Sequence, residues 1–169
     1  MSSRFGLLLL LVLAACTPLA PSEGALPFRT IEQKADAATI GQQQYDALEP
    51  GLLIIASDED LAAYGKWFTE NARDQMRRMN LTRTPTLAVF QGWKVGEGYG
   101  VSVSGVERQG NVIRVTAQFA VPGASTGGKV TSPYHLIALD GLVGANALEF
   151  HLIVSGETLA IIPTPTPIP

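Results

Sequence analysis

The chain has little cysteine, histidine and charge, and these shortages argue against several classes of protein. Cys16 is the only cysteine among 169 residues, so no disulfide framework and no paired-thiol site can form within the chain. The two histidines, His135 and His151, lie in different predicted strands without further ligands at metal-binding spacing. Only 16% of the residues are charged, and a net charge of -3 without a basic block argues against nucleic acid or an anionic membrane surface as the partner.

The sequence also lacks a recognisable catalytic motif. The nucleophile motif G-x-S-x-G is absent, and Ser102 and Ser104 fall on the polar side of a predicted strand. Residues 96–100 are rich in glycine, but a strand follows them where a phosphate site needs a helix, and Glu97 would repel a phosphate. We therefore predict no catalytic residue, no metal and no cofactor. The alternative that the sequence leaves open is a pair of carboxylates brought together by the fold, as in a hydrolase of the cell envelope.

The first 16 residues have the pattern of a bacterial lipoprotein signal. Arg4 precedes an uncharged apolar run over residues 5–15, which is too short for a spanning helix. The run ends in LAAC, residues 13–16, which resembles a lipoprotein cleavage signal. On this interpretation residues 1–15 are removed, and lipid chains on Cys16 anchor the protein in the membrane, outside the cytoplasm. The alternative is cleavage at another position, which would leave Cys16 unmodified.

Proline-rich segments flank one predicted globular domain. Residues 16–26 form a tether rich in proline and small side chains. Residues 161–169 alternate proline with threonine or isoleucine, which is typical of a polyproline II tail. The segment between them, residues 27–160, is long enough for a single domain with a buried core.

The central segment predicts an α+β, β-rich domain. Residues 51–57 are an apolar run typical of a buried strand, and Ser57 with Asp60 has the spacing of a helix capping box. An apolar stripe then predicts one amphipathic helix to about Met79. Five strands follow, TLAVFQG, YGVSVSGV, NVIRVTAQFAV, YHLIAL and ALEFHLIV, with a hairpin turn at Gly110 and Asn111. The predicted fold is therefore an antiparallel meander, as a sheet or sandwich, with one main helix inserted in the first half.

The second half of the chain resembles the C-terminal domain of PrcB, the accessory lipoprotein of a bacterial surface protease complex. The resemblance is carried by an apolar strand ending at Gly92, the turn GEGY at residues 96–99, Pro122, and TSPYHLIAL at residues 131–139. It extends back to about Leu53, and it departs from the family at Glu97, which stands where adjacent glycines are usual. The resemblance implies a β-rich, noncatalytic module exposed outside the cell.

Aromatic residues near these turns are the candidate contact residues. Trp93 follows Gly92 in a turn, where an exposed tryptophan can anchor a partner; the alternative is that its ring covers the end of the sheet. Tyr99 and Tyr134 are further candidates, although the sequence favours packing in the core or at a sheet edge for both. The residues expected to have structural roles in turns are Gly92, Gly96, Gly98, Gly100 and Pro133.

These observations predict a lipid-anchored bacterial surface protein that binds an extracytoplasmic protein and is not an enzyme. The resemblance implies a protease as the partner to consider first. Two alternatives come from other classes. A polysaccharide-binding module would need several aromatic residues in a row on one exposed face, and an envelope hydrolase would need two carboxylates in a concave pocket.

Overall fold

Two packed β-sheets with short helices on one side form the fold. A computed structural model describes residues 23–35, 45, 47–123, 130–142 and 148–163. The strands are β1 (Gly24–Ala25), β2 (Phe28–Lys34), β3 (Gly51–Ile55), β4 (Thr86–Phe90), β5 (Lys94–Val95), β6 (Gly100–Gln109), β7 (Val112–Ala120), β8 (Val130–Thr131), β9 (Tyr134–Leu139), β10 (Glu149–Val154) and β11 (Glu157–Pro163). The helices are α1 (Asp58–Tyr64) and α2 (Glu70–Arg77), with a 3-10 turn (Gly65–Trp67) between them. The predicted α+β, β-rich class is confirmed.

The order of the strands differs from a simple meander. Sheet A has the order β1-β6-β7-β10-β11, and sheet B has the order β2-β9-β4-β3. All neighbours pair antiparallel except β7 and β10, which are parallel. A meander would pair β4 directly with β6, but residues 91–99 instead carry the chain from sheet B to sheet A.

Apolar side chains fill two layers, one on each side of sheet B. Strand β4 is buried along its whole length, so both of its faces contact the core. Leu87 and Val89 pack toward sheet A, while Ala88 and Phe90 pack toward the helices, as the two-residue period of a strand requires. Sheet B is therefore the middle layer of three, and its strands β3, β4 and β9 read as nearly continuous apolar runs, whereas the edge strand β2 does not.

The single helix predicted to reach Met79 is wrong, because the segment forms two short helices. The start is as predicted: the backbone N–H of Asp60 donates to Oγ of Ser57 over 3.1 Å, and Oδ2 of Asp60 accepts from the N–H of Ala56 over 3.0 Å. Phe68 is extended and fully buried, and the hydroxyl of Thr69 caps α2 by accepting from the N–H of Ala72 over 3.3 Å. The apolar spacing of three and four continues across this break, which is why the pattern alone does not reveal it.

Strand pairing extends past both predicted limits of the globular part. Gly24 pairs with Arg108, and Leu26 is buried, although both residues belong to the predicted tether. At the other end β11 continues to Pro163, three residues into the predicted tail. Cys16 and residues 164–169, on which the lipidation and tail predictions rest, lie outside the described residues.

The sheets have two ends that differ in character. At the upper end, β4 and β7 finish and β6 and β9 begin, with Phe90 opposite Tyr134 and Gly100 opposite Ala120. At the lower end, the two-residue turn Gly110-Asn111 joins β6 to β7, as predicted. The described chain enters the fold at this lower end, through Gly24. None of the helices in the described ranges is long and apolar enough to cross a bilayer.

Candidate functional site

The glycine-rich crossover between the sheets is the most tightly constrained part of the upper end. Gly92, Gly96 and Gly98 adopt φ angles of 80°, 110° and 92°, which side chains rarely tolerate. A Cβ on Gly92 would lie 2.2 Å from the carbonyl oxygen of Leu48, so glycine is also required there for space. Gly100 lies within β6 and has no positive φ. The first three glycines thus have the backbone angles of turn residues, while Gly100 is an ordinary strand residue.

The outgoing and returning connections between the sheets run side by side as a ribbon. Lys94 pairs with Thr131, and Val95 pairs with Val130. The hydroxyl of Thr131 donates to the carbonyl of Gly96 over 3.2 Å. Pro133 completes the return, because its carbonyl accepts from the N–H of Gln91 over 3.0 Å. These bonds hold the crossover in one geometry, as its predicted turn role requires.

The position of Trp93 has features of both interpretations that the sequence allowed. Its side chain is 40% exposed, yet its indole Nε1 donates to the carbonyl of Tyr45 over 2.7 Å. Its backbone N–H donates to the carbonyl of Ala47 over 3.0 Å. The hydroxyl of Ser132 also donates to the Tyr45 carbonyl, over 3.2 Å. The ring is therefore fixed at the surface, so a partner would contact it with little loss of side-chain entropy.

Exposed apolar side chains concentrate around Trp93. Eight large apolar side chains are exposed in the described part of the chain, and five of them lie at the upper end. We call these five the upper apolar surface: Leu48, Trp93, Val95, Val121 and Val130. The backbone of Leu48 packs on Gly92, next to Trp93. The β5–β8 ribbon pairs Val95 with Val130, and Val121 directly follows β7 at the same end of the sheets. A concentration of exposed apolar side chains is typical of an interaction site.

The two tyrosine candidates have different outcomes. Tyr99 is half-buried just before β6, so part of it remains accessible. Tyr134 is only 1% exposed, packs its ring edge-on against Phe68, and donates its hydroxyl to the carboxylate of Glu32. Tyr134 therefore packs in the core, the position that the sequence favoured, and its ring is not accessible to a partner. Glu32 also accepts from the hydroxyl of Thr69 over 2.6 Å, which joins β2 to the start of α2.

An aromatic cluster that the sequence did not reveal packs around Tyr45, whose carbonyl binds Trp93. Tyr45 stacks on Phe90 with ring centroids 4.3 Å apart, and its edge meets Trp67 at 5.4 Å. Tyr64 continues the cluster from α1, 5.5 Å from Trp67. The rings meet at interplanar angles from 16° to 89°, and do not form the flat exposed row that a polysaccharide surface needs. Their effect is to position Tyr45, whose carbonyl binds Trp93 and Ser132.

Two side chains close the outer edge of β6 at the seam between the sheets. His135 is 4% exposed, and its Nδ1 accepts from the backbone N–H of Val103 over 2.8 Å. Nδ1 therefore carries no proton, and Nε2 donates to the hydroxyl of Thr30 over 2.8 Å. Gln33 donates to the carbonyl of Val101 over 2.6 Å. Burial lowers the pKa of His135 below its usual 6.5, so the neutral form that this seam requires is favoured.

No metal centre emerges from these side chains. Within the described ranges, no group of three or more histidine, cysteine, aspartate or glutamate side chains could hold a metal ion. His151 lies on the outer face of sheet A, where its Nε2 contacts the carboxylate of Glu149. Its side chain is 21% exposed, so it is only partly accessible to solvent.

The crossover, the ribbon and the strands on each side of them form one continuous run of sequence. Residues 86–140 match the family model described as PrcB C-terminal. This PrcB C-terminal match begins at β4 and ends just after β9, so it contains four of the five residues of the upper apolar surface. The resemblance noted in the sequence is thus confirmed for about a third of the 169 residues. No curated protein and no solved structure gives a significant match to the chain.

Proposed function

We propose that this chain is a lipid-anchored accessory module of the bacterial cell envelope, which binds an extracytoplasmic protein and performs no chemistry. The observation that supports this proposal most directly is the upper apolar surface, with the fixed and exposed ring of Trp93 within it. Tryptophan held rigidly among aliphatic side chains is the kind of group that dominates protein–protein binding. Most of this surface lies within the segment that matches the PrcB C-terminal family.

The path of the chain supports an outward orientation of that surface. Gly24 pairs with Arg108, next to the lower turn, and Cys16 precedes Gly24 by only eight residues. A lipid anchor on Cys16 would therefore lead away from the lower end of the sheets. The upper apolar surface, at the opposite end, would face away from the membrane. Anchoring then raises the local concentration of the module near other envelope proteins without adding a contact.

The partner to test first is a protease. Its support is the resemblance to the PrcB family, whose lipoprotein is an accessory subunit of a surface protease complex. The cavity at the upper end has no acidic residue in its lining, so it offers no support for the hydrolase alternative. The aromatic cluster gives no exposed row of rings for a polysaccharide.

Photocrosslinking in intact cells of the source bacterium tests the binding surface. The full chain carries p-benzoylphenylalanine in place of Leu48 at the upper end, or in place of Asn111 at the lower end as a matched control. We expect protein adducts from position 48 and none from position 111, and we expect Trp93→Ala to abolish the adducts from position 48. Mass spectrometry of the adducts identifies the partner and reveals whether it is a protease.

Several results would contradict the proposal. Equal adducts from both positions would indicate nonspecific contact, and absence of adducts from position 48 would argue against a protein partner there. Recovery of glycan instead of protein would favour the polysaccharide alternative. Anchoring has its own test: labelled palmitate should enter the wild-type chain and not Cys16→Ala, and incorporation into both would place the lipid elsewhere or refute it.

A further inference from the structure

A small cavity opens to solvent at the upper end, where β6 begins and β7 ends. Its volume is about 240 Å³, and it is lined by the start of β6, the end of β7 and Gln33 of β2. Val101 and Phe119 supply the large apolar side chains of the lining, and Ser102 and Gln118 add uncharged polar ones. No charged side chain lines it.

Phe119 marks the place where the sandwich is left incompletely filled. The preceding inward-facing residues of β7, Ile113, Val115 and Ala117, are at most 1% exposed. Phe119 continues the same face but is only partly buried. Its position in the strand is that of a core residue, so the mouth of the sandwich has room for one more apolar group.

The size of the cavity limits what it can hold. Sites for cofactors and drug-sized ligands usually measure about 300–1,000 Å³, so this cavity is too small for them. A dry apolar cavity of about 150 Å³ is enough to bind benzene. A single leucine or phenylalanine side chain therefore suits the volume, and the uncharged lining favours a side chain without charge.

A polar group beside the cavity is suited to the backbone of an incoming chain. The side chain of Gln91 is 3% exposed, and its Nε2 donates over 3.1 Å to the carbonyl of Ala120, which lines the cavity. Its Oε1 has no hydrogen-bond partner in the described part of the chain. A buried acceptor left unpaired is costly, and a backbone N–H of a bound segment would satisfy it.

We propose that this cavity receives one large apolar side chain, the size of leucine or phenylalanine, from a segment of the partner protein. The proposal rests on the proposed function, because it assigns an anchor point to the same partner. The cavity joins the upper apolar surface through the end of β7, where Ala120 is followed by Val121, and through Pro122, which packs against Gly98. One partner can thus cover Trp93 and fill the cavity together, as interface anchors filling central pockets do.

Saturation-transfer NMR on the full chain in phosphatidylcholine nanodiscs tests the cavity directly. The probes are N-acetyl-phenylalaninamide and N-acetyl-leucinamide, with N-acetyl-asparaginamide as the polar control. We expect saturable binding of the two apolar amides, about tenfold tighter than the asparagine amide, from the burial of one apolar side chain. Ala120→Leu enlarges a side chain of the lining and should abolish this binding, whereas Thr116→Leu adds the same side chain on the same face of β7, outside the lining, and should leave the binding unchanged.

Folding of the filled variant is checked by its unfolding midpoint. If Ala120→Leu does not fold, Gly100→Val replaces it, because a Cβ on Gly100 would make only an ordinary contact at 3.6 Å with Ala120. Binding of the apolar amides to a folded filled variant at wild-type strength, or equal binding of the asparagine amide, would overturn the proposal. If the apolar amides do not bind but position 48 still gives protein adducts, the proposal for the cavity is wrong and the proposed function is unaffected.

Discussion

The two ends of the sandwich are closed by different means. At the lower end the backbone closes the fold: β1 pairs with the last residues of β6, and a two-residue turn leads into β7. At the upper end side chains do this, because Gln33 and His135 bond the outer edge of β6 where β1 does not reach. A backbone pairing tolerates many sequences, whereas a side-chain closure depends on individual residues. The upper end is therefore where single substitutions should have the larger effects.

Replacing a glycine by alanine should give the largest difference in lost stability between the two ends. Gly92 and Gly110 both have positive φ, at 80° and 59°, so each alanine carries the left-handed penalty of about 1–2 kcal/mol. At Gly92 the new Cβ also meets backbone atoms of Leu48 and Glu49, while at Gly110 it meets nothing within 4 Å. We expect Gly92→Ala to lower the free energy of unfolding by about 3–5 kcal/mol and Gly110→Ala by about 1–2 kcal/mol, measured by urea denaturation. Equal losses would mean that segment 47–49 yields freely, and the contrast between the ends would disappear.

Tyr134→Phe should cause the next largest loss of stability. The substitution keeps the buried ring but removes the hydroxyl that donates to the carboxylate of Glu32. A hydrogen bond to a charged group is worth about 1.5–3 kcal/mol, and Glu32 keeps its bond from Thr69, so we expect a loss near 2 kcal/mol in urea denaturation. Tyr99→Phe, at a half-buried position, is the control and should change stability by less than about 0.5 kcal/mol. A Tyr134→Phe protein as stable as wild type would show that the Glu32 contact contributes nothing net.

Local sequence patterns predicted the elements whose causes are local. The cap at Ser57 and the turn at Gly110 and Asn111 were found because a few neighbouring residues determine them. The break between α1 and α2 was missed because the burial of Phe68, a tertiary effect, overrides a continuous helical pattern. The parallel pairing of β7 with β10 was missed for a related reason: no local signal fixes which distant strands become neighbours.

The candidate site was predictable only in part. Trp93 was identified because a lone tryptophan beside Gly92 is unusual in a turn, and this signal lies within two residues. Tyr45, whose carbonyl positions that ring, lies 48 residues earlier in the chain and carries no signal of its role. Both a contact role and core packing stayed open for Tyr134, because its burial in the second core layer depends on helices that pack over sheet B. The support of Trp93 and the burial of Tyr134 thus depend on contacts between distant segments, which local sequence patterns do not predict.

The pH dependence of stability should reveal the side-chain closure at the upper end. The pKa of folded His135 lies below its usual 6.5 because the ring is buried. At a pH between the folded and the unfolded pKa, the unfolded chain therefore binds a proton that the folded chain does not. The contribution of neutral His135 to the free energy of unfolding should therefore be fully present above about pH 7. It should fall as the pH drops below 6.5, by at most about 1.4 kcal/mol per pH unit. His135→Asn keeps an acceptor near the position of Nδ1 and removes the titration, so this part of the slope should vanish. Urea denaturation from pH 8 to pH 5 measures it, with His151→Gln as the control that keeps the slope; a slope retained in His135→Asn would assign it to other groups.

Val95→Ser should have the smallest effect on folding and one of the clearest on binding. Val95 and Ile161 are similarly exposed, at 61% and 57%, but only Val95 belongs to the upper apolar surface. Either serine substitution should change the free energy of unfolding by less than about 0.5 kcal/mol, because little buried area is lost. In cells carrying the photoreactive residue at position 48, Val95→Ser should reduce the partner adduct several-fold and Ile161→Ser should not. Because the two variants lose comparable apolar surface at equal stability, a difference between them can come only from location. An equal reduction would instead mean that the partner recognises exposed apolar surface in general, and the upper end would lose its special status.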